Sequence, residues 1–185
     1  GRFEMVSSPI INVSLPSYIQ SLSYNNISNE AIALNCAFSS GIIADFMEDS
    51  EIVATVSGRM GSGVFSFNID DTKTGLVRKV DVNNSQIEID ASYEGISSLA
   101  ILEAKRDLSA DFLIRQLYYP FRLWRSRVTK PVRSIFLIYS NGIYRMFEYA
   151  FDEPNNYGSL RLVKQKNYSI EDTGISIVDI QSVLD

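Results

Sequence analysis

Residues 99–105 read Leu-Ala-Ile-Leu-Glu-Ala-Lys. Gly95 and Ser97-Ser98 delimit the run, and its apolar start is unbroken, the pattern of a short buried strand. On a strand, side chains two apart share a face. Leu99, Ile101, Glu103 and Lys105 therefore point the same way. Two charges at the end of an apolar face are costly unless they pair or hold a cation. A fold that buries this strand must therefore set Glu103 and Lys105 at a polar site. A helix over 99–108 is the rival reading, because Ala, Leu, Glu, Lys and Arg all favour helix.

A second β-like run precedes it. Residues 85–91 alternate, with Ile87 and Ile89 on one face and Gln86, Glu88 and Asp90 on the other. Glu94-Gly95 supplies turn chemistry between the two runs. Asp90 stands thirteen residues before Glu103. An Asp and a Glu-x-Lys on adjacent strands can hold a divalent ion and orient a water, which is what phosphodiester hydrolysis needs. The plainer readings are a strand-end acid capping a turn for Asp90 and an ordinary ion pair for Glu103 and Lys105.

The chain contains no histidine. That removes Ser-His-Asp and Cys-His catalysis and the usual mixed zinc sites. Chemistry must run on carboxylates, Lys, Arg, Tyr or a metal held by oxygen ligands. The single cysteine, Cys36, excludes an internal disulfide and fits a reducing, cytoplasmic compartment. At 185 residues with 45% hydrophobic content, the chain is long enough for one domain with a full core. No apolar run approaches the ~18 residues of a membrane span. The N-terminus, Gly1-Arg2-Phe3-Glu4-Met5, has neither a signal-peptide pattern nor an initiator Met. It reads as a trimmed end or the remnant of a preceding region.

The net charge of −5 hides a strong asymmetry. From Lys105 to Arg133 there are eight basic and two acidic residues, a net of +6, against −11 for the remainder. A basic segment directly after a metal-site candidate suits a polyanionic substrate; the alternative is a solvated helix face.

Along the chain, 1–28 reads as an arm with a short extended piece, and 29–185 as a single domain. Ser28 or Asn29 can cap a helix with Glu30 in its first turn, which Gly41 weakens. Residues 52–56 and 64–69 read as strands. The Gly58–Gly63 stretch reads as loop, since it precedes a strand and lacks the Lys-Ser/Thr ending of a phosphate-cradling loop. Residues 70–81 also read as loop. Ser109 and Asp111 open a helix over about 110–124, which Pro120 should kink or split. Residues 132–139 and 143–151 read as a hairpin around Ser140-Asn141-Gly142. Weaker strands are expected at 158–163 and 175–180. The expected class is α/β, an α+β mixed sheet flanked by helices.

The order of helix, three strands, helix and two strands, with Asp90 and Glu103-Ala104-Lys105 on the middle strands, resembles the PD-(D/E)xK nuclease superfamily over residues 29–150. That resemblance implies a restriction-endonuclease-like core and a Mg²⁺-dependent DNA endonuclease, most nearly of type II restriction type, with Mn²⁺ as a substitute. Asp90 and Glu103 are then metal ligands completed by the Ala104 carbonyl. Lys105 orients the attacking water, and Gln116 or Arg115 faces the site from the following helix. Arg115, Arg122 and Arg125 become DNA contacts. The resemblance further implies double-stranded DNA as partner, a homodimer, and a bacterial or archaeal host. Ile89 stands where the family often has Pro, and the family's occasional first-helix Glu has two candidates, Glu30 and Glu48. Glu88 shares a strand face with Asp90 as a further candidate. Gly142-Ile143-Tyr144 resembles half of the GIY-YIG nuclease signature, but the partner motif shrinks to Tyr157-Gly158 and the hairpin turn explains Gly142. Two other readings stay open: a non-catalytic DNA-binding or interaction module, and a repair or resolvase-like nuclease. Loops at 70–84 and 155–166 are the candidate sequence readers.

Overall fold

A computed structural model describes residues 9–107, 113–140 and 142–172. The Asn29 side chain accepts the Ile32 N–H at 2.9 Å and starts helix α1, Glu30–Ser39. An Asn cap satisfies one of the amides a helix start leaves without a partner. Gly41, at φ +85°, then turns the chain into α2, Ile42–Met47. The expected single helix with a weak middle is therefore two short ones, because a left-handed residue cannot lie inside an α-helix.

A seven-stranded mixed sheet carries the fold. β1 (Ile10–Val13) precedes the helices, and β2 (Val53–Ala54) follows them. β3 (Gly58–Gly61), β4 (Val64–Asp70), β5 (Val77–Asn83) and β6 (Gln86–Ile89) form an excursion, and β7 (Ala91–Glu94) and β8 (Leu99–Lys105) return to the main sheet. Helix α3 (Leu113–Arg125) crosses over to β9 (Val132–Ser140), followed by β10 (Ile143–Phe151) and β11 (Leu160–Ile170). The spatial order is β1-β11-β10-β9-β8-β7-β2. β8 and β9 run parallel through the α3 crossover, as do β1 and β11; the other pairs are antiparallel.

The two faces of the sheet separate the core. Ala100, Leu102 and Ala104 of β8 join Ile135 and Leu137 of β9 under α1 and α2. Phe136 and Ile138 lie on the opposite face with Leu117, Tyr118 and Phe121 of α3, while Leu99 and Ile101 pack beside Trp124. Glu103 and Lys105 therefore emerge on the α3 face. β8 is a buried strand over the expected residues, so the helical alternative fails. Its neighbours β7 and β9 supply hydrogen bonds on both sides, which outweighs helix propensity.

Several expectations are corrected. The glycine-punctuated stretch expected as loop is β3, paired with β6 in the register Arg59↔Glu88 and Met60↔Ile87. Much of 70–81 is β5, paired with β4 from Val64↔Asn83 to Asp70↔Val77. Asp90 does not end a longer strand; it is the junction where the chain leaves β6 and enters β7, a strand the turn reading of Glu94-Gly95 concealed. Helix α3 is not split by Pro120. Packing of its apolar face holds it together, at the cost of the bond that the Gln116 carbonyl would have received. The weak strand expected at 158–163 extends to Ile170. The segment before Asn29 contributes β1 to the sheet and Leu15 to the core. Ser109, Asp111, Asn141 and the strand expected at 175–180 lie outside the described residues.

Candidate functional site

The ladder between β7 and β8 ends at Ala91↔Leu102. Beyond it, the preceding strand peels away to pair with β3, and the β8 backbone loses its neighbour. Asp90 Oδ2 fills the vacancy by accepting the Ala104 N–H at 2.9 Å. Within a strand, a residue's N–H and C=O point to the same side. The Ala104 carbonyl therefore faces the same vacated edge, beside the Asp90 carboxylate.

Glu103, only 5% exposed, hydrogen-bonds to Asp90 across this edge. Lys105 Nζ lies 3.5 Å from Glu103 Oε1. Burial, and after it the Asp90 charge, push the Glu103 carboxyl up to about 8, with Lys105 pulling weakly the other way. Burial also raises the Asp90 carboxyl, which the Ala104 amide partly offsets. Both carboxyls are thus pushed upward, because two close, desolvated carboxylates resist ionising together.

That arrangement fits a small divalent cation. Two facing carboxylates and a carbonyl suit Mg²⁺, which takes one or two carboxylates and keeps several waters. Among the described residues no group of three or more His, Cys, Asp or Glu could form a richer cage. Mn²⁺ takes the same oxygen ligands.

The pair opens into a cleft of about 780 Å³. Lys105 lines it from the sheet, and Arg115, Gln116, Tyr119 and Pro120 line it from α3. The sequence left Arg115 and Gln116 competing for the site-facing position; both line the cleft. The Arg115 guanidinium sits 4.8 Å from the Tyr119 ring centre. Gln116 Oε1 is buried without a hydrogen-bond partner.

The basic segment does not form one face. Arg122 donates to the Ser66 carbonyl and the Tyr118 hydroxyl, both at 2.8 Å, and lies over the Phe65 ring. It binds α3 to β4. Arg125 is exposed against Phe121 and lines two other grooves. Arg133 forms a two-pronged pair with Glu148, and Lys130 pairs with Glu94. Arg106 reaches the Ile27 carbonyl. Of Arg115, Arg122 and Arg125, only Arg115 lines the acid cleft.

Glu30 starts α1, and Glu48 ends α2 in a left-handed conformation near Lys164. Neither lines the cleft. Glu88 does, as do Arg59 and Gln86, which the sequence reading assigned no role, and Tyr157, which it placed only in the half-matched GIY-YIG signature and the 155–166 loop. Arg59 was obscured by the glycines around it, and nothing near Tyr157 signals that 157 folds back onto α3.

The chain matches, over residues 2–169, a family described as a domain of unknown function, DUF6997. It belongs to that family. No curated protein and no solved structure matches it. No helix among the described residues is long and apolar enough to cross a membrane.

Proposed function

We propose that this protein is a Mg²⁺-dependent DNA endonuclease of the PD-(D/E)xK kind, most nearly restriction-type. The observation that carries the reading is Glu103, buried beside the half-buried Asp90 and Lys105, in one cleft with Arg115 and Gln116. Two carboxylates this close are costly to ionise together, and a divalent cation would offset that cost. A mixed sheet with helices on both faces is compatible with the expected α/β class.

Asp90, Glu103 and the Ala104 carbonyl would hold the ion. Bound there, Mg²⁺ lowers the pKa of an associated water and neutralises phosphate charge. A proton held by Glu103 would have to leave for the ion to bind there. Lys105, held at the mouth of the pair by Glu103, orients the attacking water and offsets charge developing on the phosphoryl oxygens. Gln116, which lines the cleft from α3, would help position that water. Arg115 holds a neighbouring phosphate of the duplex.

The second reading, a non-catalytic DNA-binding or interaction module, draws on the Asp90–Ala104 bond, which gives Asp90 a structural task. Incubation of plasmid DNA with the protein and Mg²⁺, beside EDTA and Glu103→Gln controls, tests the choice. Metal-dependent nicking or discrete fragments, absent from Glu103→Gln, are expected. Intact plasmid with Mg²⁺ and with Mn²⁺ overturns the endonuclease reading.

A further inference from the structure

We propose that Arg59 is a substrate-gripping residue of this site and that the β3–β6 ribbon is its second wall, holding a backbone phosphate from a different side than Arg115. The inference rests on the nuclease reading above and extends it to a part of the chain that the Asp…Glu-x-Lys motif does not reach.

The ribbon is built to present Arg59 from a fixed backbone. Its paired residues alternate between two faces. Met60, Ile87 and Ile89 point inward and pack among α3 and β8 residues. Arg59, Gln86 and Glu88 share the opposite face, and all three line the cleft that contains Asp90 and Glu103. The chain that leaves this ribbon is Asp90 itself. The anchoring of Met60 and Ile89 therefore fixes Arg59 relative to the acid pair.

Arg59 is held loosely. Its Nε lies 3.9 Å from Glu88 Oε2, with the two side chains 72% and 62% exposed. Such a pair contributes little and is screened by salt. A phosphate offers the guanidinium two parallel hydrogen bonds and displaces Glu88 readily. The cleft needs this help. Glu88 and the acid pair oppose an incoming polyanion, and Lys105 is engaged with Glu103. Arg115 alone leaves a strand anchored at one point, whereas Arg59 and Arg115 together define a direction across the acids. Glu88 then acts as an occupant of Arg59 that the substrate must replace.

The test uses a fluorescein-labelled DNA duplex with Ca²⁺ in place of Mg²⁺ for binding, and plasmid with Mg²⁺ for cleavage. In Arg59→Ala the slope of log affinity against log salt falls by about one unit. Affinity drops roughly tenfold at low salt, and the cleavage loss falls on KM more than on kcat. Arg59→Lys restores the slope but not the full affinity, because it offers a point charge and not a fork. Glu88→Gln moves affinity the opposite way. If the parent cuts plasmid while Arg59→Ala keeps its slope and KM, this inference alone is overturned. A parent that neither binds the duplex nor cuts plasmid overturns the nuclease reading and this inference together.

Discussion

Asp90 Oδ2 accepts the Ala104 N–H at 2.9 Å, in the position a strand residue would occupy if the β7–β8 ladder continued. One carboxylate thus completes the backbone hydrogen bonding of β8 and forms half of the acid pair. The two roles separate by substitution. Asp90→Ala leaves a buried amide without an acceptor and should lower stability by ~1–3 kcal/mol. Asp90→Asn keeps an acceptor oxygen and loses only the charge, so its melting temperature should stay near the parent's. Both should lose cleavage. Thermal melts beside plasmid assays check this, and full activity in Asp90→Asn sinks the metal-ligand assignment.

Glu103 makes stability depend on pH. Its folded pKa, about 8, lies above the ordinary glutamate value of roughly 4.3. Between these values the folded chain binds a proton that the unfolded chain does not. Its contribution is therefore complete below about pH 4 and lost as pH rises through about 8. The melting temperature of metal-free protein should fall between pH 5 and pH 9, and Glu103→Gln should flatten that fall. Because metal binding must expel the proton, Mg²⁺ should raise the melting temperature more at alkaline than at acidic pH. Calorimetry across this range decides it; a Mg²⁺ shift that is equal at both ends contradicts Glu103 as the metal ligand.

Lys105 is expected to act on the chemical step. Lys105→Ala should lower turnover by roughly two to four orders of magnitude, the range for a positioned electrostatic or acid–base group. It should also displace the rising limb of the pH–rate profile to higher pH, because Lys105 opposes the upward shift of Glu103. Single-turnover rates at saturating Mg²⁺ measure both effects. Weakened DNA binding with an unchanged single-turnover rate makes Lys105 a phosphate contact instead.

What the sequence disclosed follows from locality. β8 is legible residue for residue because its apolar start is unbroken and Gly95 and Ser97-Ser98 delimit it. Asn29 is legible as a cap because its partner is three residues away. β5 is not: Arg78, Lys79 and Asp81 face solvent, and a strand buried on one face only among so many charges resembles a loop until β4 is set beside it. The acid pair was legible as a motif, but the cleft around it is walled by α3 and the β3–β6 ribbon, which no local pattern specifies. Arg122 shows the same limit. Its carbonyl partner on Ser66 is 56 residues away, so the resemblance grouped it with Arg115 as a DNA contact.

That grouping yields the last prediction. Arg115 and Arg122 share a helix face in spacing, yet Arg115 is exposed in the cleft while Arg122 bonds to Ser66 and Tyr118. Arg115→Ala should reduce the salt slope of DNA binding by about one unit and leave the melting temperature nearly unchanged, as for most exposed substitutions. Arg122→Ala should do the reverse. It leaves the Ser66 carbonyl without its donor and strips cover from Phe65, for a loss of roughly 2–4 kcal/mol, with the salt slope intact. Arg122→Lys should recover only part of the stability, since an ammonium cannot reproduce the flat guanidinium lying over Phe65. Salt titrations with Ca²⁺-loaded protein and parallel melts separate the two arginines. A reduced slope with an unchanged melt in Arg122→Ala would return Arg122 to the DNA interface.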